Sequence, residues 1–167
     1  ALSSGLFLYG ISLLYGATHS TRFDMIQSFL SGNPTSPMLI LSFVLIFATV
    51  GFKIASVPFH MWVPDVYQGA PTPVTALLSV GSKAAGFVVL IRLFFGIFAP
   101  WHAELSLMLA ILSAITMTYG NLVAMFQTNI KRLLGYSSIS HAGYLLMGAA
   151  TGTVLGASAI NFYLLGY

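Results

Sequence analysis

Long apolar runs, separated by short polar or turn-forming stretches, divide the chain into a series of helical spans. Residues 1–16 form a first, slightly short apolar segment. Residues 17–37 read as a loop, with His19, Arg22, Asp24 and the turn signal Gly32-Asn33-Pro34. Inside it, residues 23–30 have the spacing of a short amphipathic helix lying at an interface. Residues 38–62 form the second span, residues 63–73 (VPDVYQGAPTP) a turn, and residues 74–98 the third span. Residues 99–104 are a loop with Pro100 and Trp101, and residues 105–127 are uncharged and about the ~20 residues a span requires. A polar turn at 128–132 carries Lys131 and Arg132; spans at 133–155 and 157–167 follow. The predicted fold is all-α: a polytopic transmembrane helix bundle forming one membrane domain. It has about four complete spans, at 38–62, 74–98, 105–127 and 133–155, and partial ones at 1–16 and 157–167. The chain opens inside an apolar run without Met or a basic leader, so it reads as a fragment.

Pro58 interrupts the second span. Proline has no N–H and its ring crowds the carbonyl four residues earlier, here that of Ile54. The sequence therefore predicts one broken helix near Lys53–Pro58.

Composition narrows the class. The chain is 57% hydrophobic and 5% charged, where a soluble domain carries about 25% charge. There is no cysteine, which excludes disulfides, thiolate metal sites, iron–sulfur ligation and cysteine nucleophiles. The net charge of +3 comes from six basic and three acidic residues, too sparse for a nucleic-acid-binding surface. Charge does not orient the chain: Lys131 and Arg132 on one side balance Arg22 and Arg92 on the other.

Two lysines lie inside apolar runs. Lys53 and Lys83 are symmetric about Gln68 in the 63–73 turn. If antiparallel helices leave that turn, each lysine is about 22 Å from it at ~1.5 Å per residue, deep in a hydrocarbon core of roughly 30 Å. Intramembrane charges are costly and mark ion or proton paths. Burial and a like-charged neighbour both favour the neutral amine. His141, about 15 Å from the Lys131–Arg132 turn, falls at similar depth, and its near-neutral titration suits either a relay or helix packing. His60 suits a relay or a cap on carbonyls freed by the break. Ser56, Ser82, Thr116, Asn121, Ser138 and Tyr144 are among the groups available to carry hydrogen bonds between them. No carboxylate lies at that depth, since Asp65 is near the turn and Asp24 and Glu104 are in loops. Any acidic partner must come from outside these residues. Lys131 and Arg132 read as an interfacial anchor, Asp65 as a turn or helix-start residue, and Gly120, Gly135, Gly143 and Gly148 as sites of close helix approach.

Two stretches resemble a known family. GFKIASVPFHMWVPDVYQGAPTPVTALLSVGSK and QTNIKRLLGYSSISHAGYLLMG are similar to the antiporter-like membrane subunits of NADH:quinone oxidoreductase, respiratory complex I. PDVYQGAPTPV and SSISHAGYLL are most like the N-type subunit, called subunit 2 in mitochondria and chloroplasts. The resemblance runs over nearly the whole chain. It implies that Lys53 is the lysine of a broken seventh helix, that Lys83 is the central lysine of the eighth, and that His60 and His141 lie near the proton path. It also implies a glutamate partner upstream of Ala1, a further lysine downstream of Tyr167, and a cytoplasmic or matrix location for the turns at 63–73 and 131–132.

The function so implied is proton translocation coupled to quinone reduction. The other membrane subunits of complex I and the lipid bilayer would be partners, with no direct NADH binding, no nucleic acid and no cofactor bound by this chain. The expected location is multi-pass in a membrane, the bacterial cytoplasmic membrane first, with the mitochondrial or thylakoid membrane as alternatives. A subunit of a cation/proton antiporter or membrane-bound hydrogenase shares the lysines. A non-catalytic scaffold would tolerate loss of both.

Overall fold

The computed structural model describes residues 2–32 and 36–167, and among them every regular element is helical. In chain order these are α1 (Leu2–Thr18), α2 (Phe23–Gly32), α3 (Pro37–Ile54), α4 (Trp62–Gly69), α5 (Thr72–Ile97), α6 (His102–Ala124), α7 (Ile130–Ala150) and α8 (Val154–Gly166). α3, α5 and α6, the last extended by a 3-10 turn at Ala99–Trp101, are long and apolar enough to cross a membrane. The loop expected at 99–104 is thus mostly helical. α2 matches the expected short amphipathic helix, burying Ile26 and Leu30; Asn33 and Pro34 of the expected turn signal lie outside the described residues.

α7 is long enough to span a bilayer, but Ser137, Ser138, Ser140 and His141 make it more polar than the other three. The bundle accommodates this by burying it: about half of α7 is inaccessible, including Ser138 and Ser140. α6 shields it with an outer face of Leu107, Ile111, Ile115 and Leu122. The α6–α7 seam is tight because two glycines face it. A Cβ on Gly120 would lie 2.7 Å from the Ser140 nitrogen, and one on Gly143 would lie 2.8 Å from the Met117 nitrogen. Ser113 donates to the Gly143 carbonyl (2.7 Å), Ser140 to Asn121 Oδ1 (2.8 Å), and Ser106 to the Ala150 carbonyl. Small residues and interhelical hydrogen bonds are what hold helices together where lipid removes the hydrophobic drive.

The break in the second apolar run comes earlier than Pro58. α3 ends at Ile54, and Ala55 adopts a left-handed conformation (φ 62°). The Ala55 N–H bonds to the Phe52 carbonyl (3.3 Å) and the Ser56 N–H to that of Gly51 (3.0 Å), a Schellman termination with alanine where glycine is usual. Residues 55–61 are non-helical and the Val57–Pro58 peptide is cis. The Val57 N–H is taken by Thr116 Oγ1 (3.2 Å), and Trp62 Nε1 donates back to the Phe52 carbonyl (2.9 Å). With the helix already ended at Ala55 and no N–H on Pro58, the Ile54 carbonyl receives no hydrogen bond among the described residues.

Residues 63–73, expected to be a turn, are largely the helix α4. Pro64 occupies its first turn, where N–H groups are unpaired anyway. Asp65 also lies in that turn, where the helix dipole favours a carboxylate. Val63, Pro64 and Tyr67 are buried, while Asp65 and Gln68 face outward to Arg132 Nη1 at 2.7 and 3.0 Å. The turn itself is only Ala70–Pro71, and Lys131 Nζ donates to the Ala70 carbonyl (3.0 Å). Near the other end, α7 stops at Ala150, short of the expected 155. Gly152 is left-handed (φ 62°), and Thr153 Oγ1 caps α8 through the Gly156 N–H (3.1 Å), so α8 starts at Val154.

Candidate functional site

Lys83 follows a π-helical turn, Leu78–Ser82, within α5. It is 2% exposed. Its Nζ donates to the carbonyl and the hydroxyl of Ser138 on α7, both at 2.5 Å. Ser138 Oγ also accepts from the Tyr167 hydroxyl (2.9 Å) at the end of α8. The Tyr167 ring lies against His141, with centroids 5.0 Å apart, and His141 Nδ1 is 2.5 Å from the Tyr163 hydroxyl. Lys83 and His141 therefore share one polar region, joined by Ser138, Tyr167 and Tyr163. No carboxylate pairs with either among the described residues.

The other two expected residues lie elsewhere. His60, in the break after α3, is buried; its ring meets Tyr119 edge-on at 4.5 Å and its Nδ1 has no partner among the described residues. Lys53, in the last turn of α3, is exposed. It lines an open groove of about 460 Å³ with Ser4, Phe7 and Leu8 of α1 and Ser82, Ala85, Gly86 and Val89 of α5. α3 crosses α5 closely there: a Cβ on Gly86 would lie 3.6 Å from Lys53 Cβ and 2.8 Å from Ile54 Cγ2. The two lysines thus use different faces of α5, and no hydrogen bond joins them. The equal-depth construction about Gln68 does not apply as drawn, because Lys53 is separated from the turn by the break and by α4.

Sequence reasoning did not single out Tyr67, Tyr163 or Tyr167. The last two were detectable: they are four apart on α8, hence on one face, and the face is the one toward α7. Tyr67 was concealed by the reading of its segment as a turn.

A multi-helix bundle with an interrupted helix and a lysine buried among hydroxyls is an integral membrane protein built around a polar centre. The chain belongs to the family described as NADH:quinone oxidoreductase/Mrp antiporter, TM, which matches residues 1–167. It is 51% identical to NADH-quinone oxidoreductase subunit N of Desulforamulus reducens over 97% of this chain and 34% of that one. It spans about a third of the length of the curated relatives it matches. Among solved structures, it superposes on a chain of respiratory complex I from Thermus thermophilus with TM-score 0.76 and 44% identity, covering 98% of this chain and 34% of that one. On a chain of the Mrp complex from a Dietzia species the TM-score is 0.87 at 26% identity, covering 98% and 30%.

Proposed function

We propose that this chain is part of the proton-translocating N-type subunit of an NADH:quinone oxidoreductase, in which Lys83 exchanges protons within the membrane. The observation that carries the reading is the sealed Lys83 ammonium, held by the Ser138 carbonyl and hydroxyl and by no carboxylate among the described residues. A proton carrier needs partners that tolerate both its charged and neutral forms, and a serine hydroxyl, both donor and acceptor, is one.

In this reading Lys83 is the central site and His141 the next station, reached past Ser138 and Tyr167. Lys53, in the groove beside α5, is an entry-side group whose acidic partner comes from another segment. His60 is an auxiliary group at the helix break. The chain forms a single membrane domain and carries no redox centre; NADH and quinone chemistry belong to other subunits, its partners in the bacterial cytoplasmic membrane. The higher identity to the complex I chain than to the Mrp chain favours this over a cation/proton antiporter.

The test is proton translocation by the assembled complex in vesicles, normalised to subunit content. Lys83→Met is expected to abolish most translocation. Lys83→Arg is expected to fail as well, since arginine does not release its proton at usable pH. Normal translocation by the arginine variant would refute proton exchange at Lys83 and leave a fixed positive charge in its place.

A further inference from the structure

Tyr67 is the largest fully buried side chain in the molecule as described, yet its hydroxyl has no hydrogen-bond partner among the described residues. Buried phenols nearly always pair their O–H. Around Tyr67 the packing is apolar: Ala55, Val63 and Ile139, with the Tyr136 ring. Nothing in that wall explains a hydroxyl where phenylalanine would pack as well.

Its position explains it. α4 rests on the first turns of α7 at Gly135, where a Cβ would lie 3.3 Å from Pro64 Cα and 3.7 Å from Tyr67 Cδ2. One turn further along α7 is Ser138, and the Tyr67 hydroxyl sits beside it without an aligned hydrogen bond. A serine hydroxyl has one hydrogen and two lone pairs. Both lone pairs of Ser138 Oγ are used, by Lys83 and by Tyr167. Its hydrogen is unassigned, and Tyr67 is the adjacent acceptor.

We propose that Tyr67 is a relay residue that delivers protons to Lys83 through Ser138, from the side of the molecule where Asp65, Gln68 and Arg132 meet. The inference rests on the proton-translocation reading of Lys83. While Lys83 is an ammonium, Ser138 points its hydrogen toward Tyr67. Once Lys83 is neutral, its nitrogen accepts and the row reverses. The Ser138 O–H bond breaks as an N–H bond forms on Lys83, and the Tyr67 O–H bond breaks as a new O–H forms on Ser138. A hydronium from the α4 end returns the proton to the Tyr67 oxygen and is left as a neutral water, so the one net charge gained is the Lys83 ammonium. The titratable and charged groups around this row are Asp65 on α4, Lys83 on α5, Lys131, Arg132, Tyr136 and His141 on α7, and Tyr167 on α8.

Tyr67→Phe in the whole complex keeps the packed ring and removes only the hydroxyl. Translocation per assembled complex is expected to fall about a hundredfold, the low end of what a positioned acid–base group contributes. Placing 3,5-difluorotyrosine at position 67 keeps shape and hydroxyl but makes the O–H more acidic, and it is expected to move the pH profile of translocation to lower pH. A purely structural tyrosine would leave that profile in place. Normal translocation with Tyr67→Phe, or an unmoved profile with the fluorinated residue, overturns the proposal; if Tyr67→Phe assembles poorly, the fluorinated residue decides. Lys83→Met measured in parallel separates the two levels. If it is inactive while Tyr67→Phe is normal, only the Tyr67 relay fails. If Lys83→Met translocates normally, the reading beneath it fails too.

Discussion

Lys83 is closed in beneath α7, its ammonium held by Ser138, while Lys53, on the neighbouring helix, opens into a groove between α1, α3 and α5. Both lysines stand in apolar runs with glycine close by, at Gly51 for one and Gly81 and Gly86 for the other. Their different fates come from what crosses them. Lys83 faces the one polar long helix of the bundle, which brings a serine to meet it. Lys53 faces α1 and the flank of α5, where only Ser4, Thr49 and Ser82 interrupt an apolar lining. An intramembrane charge is thus placed by its own helix but given its surroundings by another.

The largest expected effect comes from opening the α6–α7 seam, which holds in place the helix that carries Ser138. Gly143→Leu forces a side chain into Met117 and is expected to cost about 3 kcal/mol or more, the upper part of the overpacking range. It would appear as loss of assembled subunit. Gly5→Leu, where a Cβ meets open space, is expected to be neutral; equal loss in both would show that the seam is not special.

A double-mutant cycle then tests whether Ser138 belongs to Lys83 and not to Lys53. Ser138→Ala leaves the buried ammonium without its hydroxyl partner and is expected to destabilise by about 1–3 kcal/mol. Adding Lys83→Met should recover most of that, since an apolar replacement removes the need for a partner. Combining Ser138→Ala with Lys53→Met should be additive within about 0.5 kcal/mol. Thermal unfolding of the purified complex reads all three, and coupling to Lys53 of the same size as to Lys83 would erase the distinction.

Smaller still is Thr116→Val, which leaves the Val57 N–H unpaired in the break and is expected to cost about 1 kcal/mol. The smallest effect belongs to Asp65→Asn. Its partner Arg132 lies at the surface with Asp65 itself 75% exposed, so no measurable change in unfolding temperature is expected, at low or high salt. A clear shift would mean that this pair is covered in the assembled protein.

How much could be read before any coordinates differs by element. The helical class, the short amphipathic helix at residues 23–30 and the break near Lys53–Pro58 follow from local chemistry: apolar run length and proline's missing N–H. Those rules act along the chain and need no neighbour. The helix α4 was missed because Pro, Asp, Gly and Pro within eleven residues look like turn chemistry. What makes it a helix is the burial of Val63 and Tyr67 against α7 and the pairing of Asp65 and Gln68 with Arg132.

The same division runs through the site. Composition and run length were enough to put Lys53 and Lys83 on helices apolar enough to cross a membrane. Which groups they meet was a matter of rotation about helix axes and of which helix crosses which, and that depends on contacts between residues far apart in sequence. Ser138 and Tyr167 join Lys83 to His141 because α7 and α8 pack beside α5, while α3 crosses α5 at Gly86, on the side where Lys53 lies. Periodicity gives each helix a face; the packing of small residues across the seams fixes where that face points.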